Sequence, residues 1–167
     1  MKLRYRKRIT SMSKKQLRNY LEPYFGDKEK GSYFVGFEVG AGWSDIILEL
    51  HNKIISKYPD YSIAQVKEKF GTLRYYTEGT GKDAWDWVWE AEEKSQGICE
   101  ECGRPGEILQ DRNWIRTLCN WDAKVDEINN WIWVHIRRKP YMIYWKIRFA
   151  YNRWLKKRGI RKDHELR

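Results

Sequence analysis

Residues 62–76 read SIAQVKEKFGTLRYY, and this stretch decides the fold class. In a strand, Val66, Glu68 and Phe70 would lie on one face and Gln65, Lys67 and Lys69 on the other, which is the two-residue period of a β-strand. Gly71 supplies the positive φ that a tight turn requires, and Leu73–Thr77 then forms a second strand. The pattern therefore predicts a β-hairpin over residues 62–77.

Strand and helix patterns flank this hairpin. Residues 33–39 read YFVGFEV, a β-prone run between glycines, and a helix with apolar residues at helical spacing is predicted from Ser44 up to Pro59. Another helix, capped by Asp83, is predicted after the hairpin. The side chains predicted to face inward from it are Trp85, Val88 and Trp89. Together these elements predict an α+β fold, with a small antiparallel hairpin or sheet packed against helices.

Two helices are predicted near the C-terminus, over residues 122–138 and 141–158, because Pro140 interrupts the helical pattern. Trp131 and Trp133 fall on opposite flanks of the apolar stripe of the first of these helices. We therefore expect at least one of them to be exposed or covered by another element. The predicted organisation is a single domain of residues 1–167 with a basic N-terminal arm (1–12), a zinc-knuckle motif (98–122) and C-terminal helices (123–158).

Basic residues are concentrated at the two ends of the chain. Of 167 residues, 33 are Lys or Arg and 23 are Asp or Glu, giving a net charge of +10. Such asymmetry indicates a polyanionic or acidic partner, and Trp or Tyr beside Arg can stack on bases or anchor a protein interface. The alternative is that the ends are merely solvated. The residues predicted to form the binding surface are Arg4, Arg6, Lys7, Arg8, Trp131, Trp133, Arg137, Arg138, Lys146, Arg153, Lys156 and Lys157.

Three cysteines have the spacing of a metal site. Cys99 and Cys102 are separated by two residues and followed by a glycine, and Cys119 comes after sixteen intervening residues. This matches the first three ligands of the zinc pattern C-x2-C-x15–20-C-x2-C, and Asp122 occupies the fourth position. A strand-like run leads to Cys119 and a helix begins there, which is the layout of a treble clef. The prediction is one structural zinc ion held by these four residues.

Three alternatives to this ligand set stay open at the level of sequence. In the first, the site has lost its metal and Asp122 only caps the helix. In the second, the fourth ligand is a side chain distant in sequence, such as His51 or His135. Alternatively, Cys99 and Cys102 form a redox pair, although they do not precede a helix in a βαβ unit.

The order of motifs resembles a group of small uncharacterised proteins from phages and prophages. These share a K-E-K-F-G-x-L-R-[FY]-Y hairpin followed by C-x-x-C-G and L-C-x-x-[CH], matched here by KEKFGTLRYY, CEECG and LCNWD. The resemblance covers residues 42–122, beginning with the Gly42-Trp43 segment, and Asp122 departs from the usual Cys or His. It implies a phage origin and a zinc-knuckle core but no reaction.

The sequence favours a binding protein over an enzyme. The three histidines are far apart, no phosphate-binding loop is present, and four protein ligands would leave no open position on zinc. We expect an accessory phage protein for host takeover or anti-defence, such as a CRISPR or restriction inhibitor, that docks on a host nucleic-acid-handling complex. Direct nucleic-acid binding is the alternative. A metal-dependent nuclease is a remote one, with Mg²⁺ held by Glu100, Glu101, Asp111 and Asp122.

The location and partners follow from the same features. No window of about 18 residues is free of charge, so no membrane partner is expected, and no small-molecule site is evident. We expect a cytoplasmic protein of an infected bacterial host, with a host protein, a ribonucleoprotein or a nucleic acid as its partner.

Overall fold

The computed structural model describes residues 9–27, 33–111 and 114–157. Contacts divide the chain between Lys124 and Val125 into two compact units. We call the described residues up to Lys124 the body and those from Val125 onward the C-terminal segment. Both units belong to an α+β protein, as predicted. The prediction of a single domain stays a prediction.

The main sheet of the body has three strands in the order β1-β2-β3. Strand β1 (Gly36–Glu38) runs parallel to β2 (Ser62–Lys69), and β2 pairs antiparallel with β3 (Thr72–Glu78). The predicted hairpin is therefore confirmed, with Lys69 opposite Thr72 at its end. The predicted strand at 33–39 is shorter than expected.

Two residues with positive φ connect the hairpin strands. Gly71 has φ of 77°, as the sequence predicts, but Phe70 also has φ of 53°. A bulky aromatic residue is uncommon in this left-handed region because its Cβ crowds the backbone. The Phe70 ring is two-thirds exposed, so packing in the core does not compensate for this conformation.

Three helices pack in the body. Helix α1 (Lys14–Leu21) begins with a capping box between Ser13 and Gln16. Helix α2 (Ser44–Lys57) confirms the helix predicted from Ser44, and it contributes its apolar side to the core. The core side chains from α2 and the main sheet are Phe37, Ile46, Ile47, Leu50, Ile54, Ile63, Val66, Leu73 and Tyr75.

Helix α3 (Lys82–Ser95) corrects two predictions. Its N-cap is Gly81, and Asp83 lies in the first turn, where it is paired with Lys57 of α2. The predicted inward tryptophans are wrong, since Trp85 and Trp89 are exposed and Val88 is only half-buried. The small residues of α3 are buried instead, and the Ser95 hydroxyl accepts the Leu73 amide at 2.9 Å.

A second sheet completes the body, and the first turn of a fourth helix follows it. Strands β4 (Glu107–Leu109) and β5 (Arg116–Leu118) form an antiparallel ribbon. Helix α4 (Asn120–Ile132) begins directly after β5 and Cys119. The predicted sequence of knuckle, strand and helix start is therefore confirmed.

The C-terminal segment is helical throughout its described length. A five-residue π-helical turn (Trp133–Arg137) leads from α4 to α5 (Arg138–Lys157). The predicted break at Pro140 is wrong. Pro140 is the third residue of α5, and the helical path reaches it directly from the π-helical turn, so the irregularity lies before the proline and not at it. Among the described residues, no helix is both long and apolar enough to cross a membrane.

Candidate metal centre

The Cys99–Gly103 turn presents the first two thiols. The Gly103 amide donates to the Cys99 carbonyl at 2.9 Å, and the Cys99 amide donates to the Arg104 carbonyl at 2.7 Å. Gly103 has φ of 78°, a conformation that glycine adopts without a steric penalty. This closed turn places both cysteine side chains on the same side, facing the start of α4.

The end of β5 and the first turn of α4 present the other two ligands. Cys119 immediately precedes α4, and the Ala123 amide donates to its carbonyl at 2.9 Å. Asp122 therefore lies one helical turn beyond Cys119, which brings the carboxylate beside the sulfurs. Both the thiol of Cys99 and that of Cys119 donate to Asp122 Oδ2, each at 3.3 Å.

The four ligand atoms form one compact, buried cluster. One ligand atom from each of Cys99, Cys102, Cys119 and Asp122 lies within 4.8 Å of all the others. The Cys102 and Cys119 sulfurs are 3.7 Å apart. Two sulfurs that share a tetrahedral zinc ion at about 2.3 Å are separated by about 3.8 Å. The spacing of the donors therefore suits a tetrahedral ion.

Burial also determines the protonation of these thiols. It raises the pKa of Cys99 well above its ordinary value, and it raises that of Cys102 in the same direction. In the absence of an ion the thiols of Cys99 and Cys102 are therefore protonated at neutral pH. A metal ion must displace their protons, because the thiolate is the ligand.

The structure places neither histidine alternative at the cluster. His51 is buried in α2, where its Nδ1 is hydrogen-bonded to the Tyr61 hydroxyl. His135 lies in the exposed π-helical turn, with its Nδ1 3.0 Å from the Trp131 carbonyl oxygen. Asp122 is thus the fourth group beside the three sulfurs.

A loop distant in sequence holds the knuckle in place. The Glu100 carboxylate accepts the Gly40 amide at 2.9 Å, and the Glu100 carbonyl accepts the Gly42 amide at 2.5 Å. A Cβ on Gly42 would lie 2.0 Å from the Cys99 carbonyl oxygen, so only glycine fits. Sequence reasoning missed this contact, and the glycines at 40 and 42 were the signal for it.

The acidic residues considered for Mg²⁺ do not act together. Arg116 binds Glu100 and Glu101, with its Nη2 3.1 Å from Glu100 Oε2. Asp111 is exposed, and Asp122 belongs to the cysteine cluster. Within the described ranges, this cluster is the group of three or more potential metal ligands that the fold brings together.

The predicted binding residues are distributed unevenly over the described structure. Arg4, Arg6, Lys7 and Arg8 lie outside the described residues, as do the side chains of Arg137, Arg138, Lys156 and Lys157. Trp131, Trp133, Lys146 and Arg153 are exposed on the C-terminal segment. Residues 9–12 of the predicted arm are described as part of the body, where the Ile9 amide donates to the Cys102 carbonyl at 2.8 Å.

Comparisons with known proteins do not assign a function to this site. The chain matches no protein-family model, no curated protein and no solved structure.

Proposed function

We propose that the protein is a non-catalytic binding protein with one structural zinc ion at Cys99, Cys102, Cys119 and Asp122. Three thiols and a carboxylate are donors that zinc accepts, and four protein ligands leave no position for a substrate. Zinc binding adds directly to the folding free energy of such a site. Elemental analysis is expected to find one zinc per chain in the wild type and less than about a tenth in Cys119→Ser. A wild type without zinc contradicts the metal assignment.

The protein acts by docking on a host nucleic-acid-handling complex through α5. The observation that carries this proposal is the exposure of large apolar side chains along one face of α5. Ile143, Ile147, Tyr151 and Trp154 are exposed and recur at helical spacing. This is the pattern of an amphipathic helix that inserts into an apolar groove. Isoleucine has no π face for base stacking, so this face suits a protein groove better than a nucleic acid.

The charge of α5 indicates the charge of the groove on the partner. No Asp or Glu occurs between Glu127 and Asp163, while Lys and Arg recur throughout. Cations on the rim of an interface speed association with a surface of opposite charge. The groove on the partner is therefore apolar with an acidic rim.

Direct nucleic-acid binding is the second candidate, and a different observation favours it. The Arg148 guanidinium lies 5.2 Å from the centre of the Trp145 ring, and the Trp131 ring stacks on His135 at 4.8 Å. Stacked aromatic rings and a ring beside an arginine are elements that bind single-stranded nucleic acids by base stacking and phosphate contact.

One capture experiment separates the two candidates. The tagged full-length chain is incubated with lysate of phage-infected bacteria, with and without nuclease, beside Ile143→Ser/Ile147→Ser and the exposed control Val35→Ser. Capture that resists nuclease and is lost only in the double variant supports docking on a protein. Capture that nuclease abolishes, together with salt-sensitive binding of a single-stranded oligonucleotide by the pure chain, supports the second candidate. If neither nuclease-resistant capture nor oligonucleotide binding is observed, both candidate functions are contradicted.

A further inference from the structure

Helix α3 has an outward face that the fold of the body does not use. Trp85 and Trp89 stand one turn apart on α3 and are 70% and 63% exposed. Asp86 and Glu93 are exposed beside them. Asp86, Trp89 and Glu93 occupy positions i, i+3 and i+7, so an indole lies between two carboxylates on one side of the helix.

The other acids of α3 have partners inside the body. Asp83 pairs with Lys57, Glu90 with Lys53 and Glu92 with Arg74. These ion pairs hold α3 against α2 and β3. Among the described residues, neither Asp86 nor Glu93 forms an ion pair. The ion pairs that join α3 to the rest of the body therefore do not involve Asp86 or Glu93.

Helix α5 carries the same pattern with the opposite charge. Lys146, Phe149 and Arg153 occupy positions i, i+3 and i+7, and all three side chains are exposed. Neither cation forms an ion pair with any residue that the structure describes. In both helices the charged groups are seven residues apart, which is about 10.5 Å along the axis.

We propose that two copies of this chain associate, with α3 of each copy docking on α5 of the other. Asp86 and Glu93 pair with the two cations, and the Trp89 ring packs on Phe149. Trp85 and the exposed Met142 extend the apolar contact. A two-fold axis makes this contact twice, so each copy contributes both faces.

This association goes beyond the proposed docking function and uses another part of α5. Lys146, Phe149 and Arg153 lie on a different side of the helix from Ile143, Ile147 and Tyr151. The dimer therefore leaves the proposed docking face available.

Sedimentation equilibrium in 150 mM salt tests the proposal with two charge-reversed variants. The first is Asp86→Lys/Glu93→Lys, and the second is Lys146→Glu/Arg153→Glu. The wild type is expected at twice 20.4 kDa. Each variant alone is expected to dimerise at least about tenfold more weakly, because like charges then face each other. An equimolar mixture is expected to recover the dimer, since both contacts are complementary again.

The mixture also controls for folding, because misfolded variants would not restore each other. Glu38→Lys/Glu107→Lys raises the net charge by as much as Asp86→Lys/Glu93→Lys does, at exposed sites elsewhere, and is expected to remain dimeric. A wild type that stays at 20.4 kDa overturns the proposal and leaves a foreign basic segment as the occupant of the α3 face. A mixture that stays monomeric, or a control that dissociates equally, overturns it as well.

Discussion

Gly42 and Glu100 are joined backbone to backbone across 58 positions of sequence, with the Gly42 amide 2.5 Å from the Glu100 carbonyl oxygen. The contact ties the loop before α2 to the turn that carries Cys99 and Cys102. Its closeness explains why position 42 has no side chain.

Gly42→Ala tests this contact. The added Cβ would lie 2.0 Å from the Cys99 carbonyl oxygen, so backbone must shift at the metal centre. We expect a loss of about 2–3 kcal/mol in the free energy of unfolding, measured by urea denaturation. Gly97→Ala is the matched control, since its nearest contact would be 4.0 Å away, and it should change stability by less than about 1 kcal/mol. Equal effects would contradict the assigned role of Gly42.

The zinc affinity is expected to fall as the pH decreases. Burial raises the pKa values of Cys99 and Cys102, so protons compete with the ion at these thiols. Competition with a chromophoric chelator at pH 8, 7 and 6 should show progressively weaker zinc binding. Asp122→Asn should bind zinc more weakly than the wild type at pH 8, since it loses an anionic ligand. An affinity independent of pH would exclude thiolate ligation.

Trp43 is expected to contribute far more to stability than the tryptophans on α3. It is fully buried, and its Nε1 donates to the Ile98 carbonyl at 2.8 Å. Trp43→Phe leaves that carbonyl without this donor and creates a cavity, at a cost of about 2–3 kcal/mol. Trp85→Phe at an exposed site should change the free energy of unfolding by less than about 0.5 kcal/mol. Thermal and urea denaturation of both variants measure the difference.

His51 is expected to make the body less stable in mild acid. Burial lowers the pKa of His51, so the unfolded chain takes up a proton near pH 6.5 and the folded chain only at lower pH. Its contribution is therefore complete above about pH 6.5 and is lost as the pH falls below that value. His51→Gln should flatten the decline of Tm between pH 7 and pH 5, whereas His135→Gln at an exposed site should not. A His51→Gln profile parallel to that of the wild type would refute this origin.

Phe70→Asn is expected to stabilise the protein. Asparagine adopts positive φ more readily than phenylalanine, and the two-thirds exposed Phe70 ring loses little burial. The expected gain is about 0.5–1 kcal/mol in urea denaturation. Phe70→Ala removes the ring but keeps a β-carbon at the same φ, so it should show no such gain. A gain of stability in Phe70→Ala would show that the positive φ of residue 70 is not the source of the strain.

Local signals in the sequence predict the hairpin and the cysteine cluster. The turn at Gly71 and the short spacing of Cys99 and Cys102 act over a few residues, and the structure keeps both. The two-residue period of β2 is not kept, because a register irregularity between Ile63 and Gln65 places the buried Ile63 and Val66 three residues apart. The orientation of α3 was less predictable. Its small residues Ala84 and Ala91 recur on one side as regularly as its tryptophans do on the other, and helical spacing alone does not decide between the two sides.

Contacts between distant segments were beyond such reasoning. The bond between the Thr117 hydroxyl and the Gly71 carbonyl has no counterpart in local pattern. The helical path through Pro140 was missed for another reason, because proline usually ends a helix, whereas here the irregularity is the π-helical turn that precedes it.

The convergence of distant backbone groups on the knuckle and ribbon has a consequence for synthesis on the ribosome. Ile9, Gly42 and Gly71 all bond to residues between 100 and 117, which are translated after the main sheet and the first three helices. The nascent chain therefore emerges with these amide and carbonyl groups still lacking their partners. Only when Cys119 and Asp122 leave the exit tunnel does the body have every segment it needs to close. Until then the emerging chain is open to chaperones and proteases.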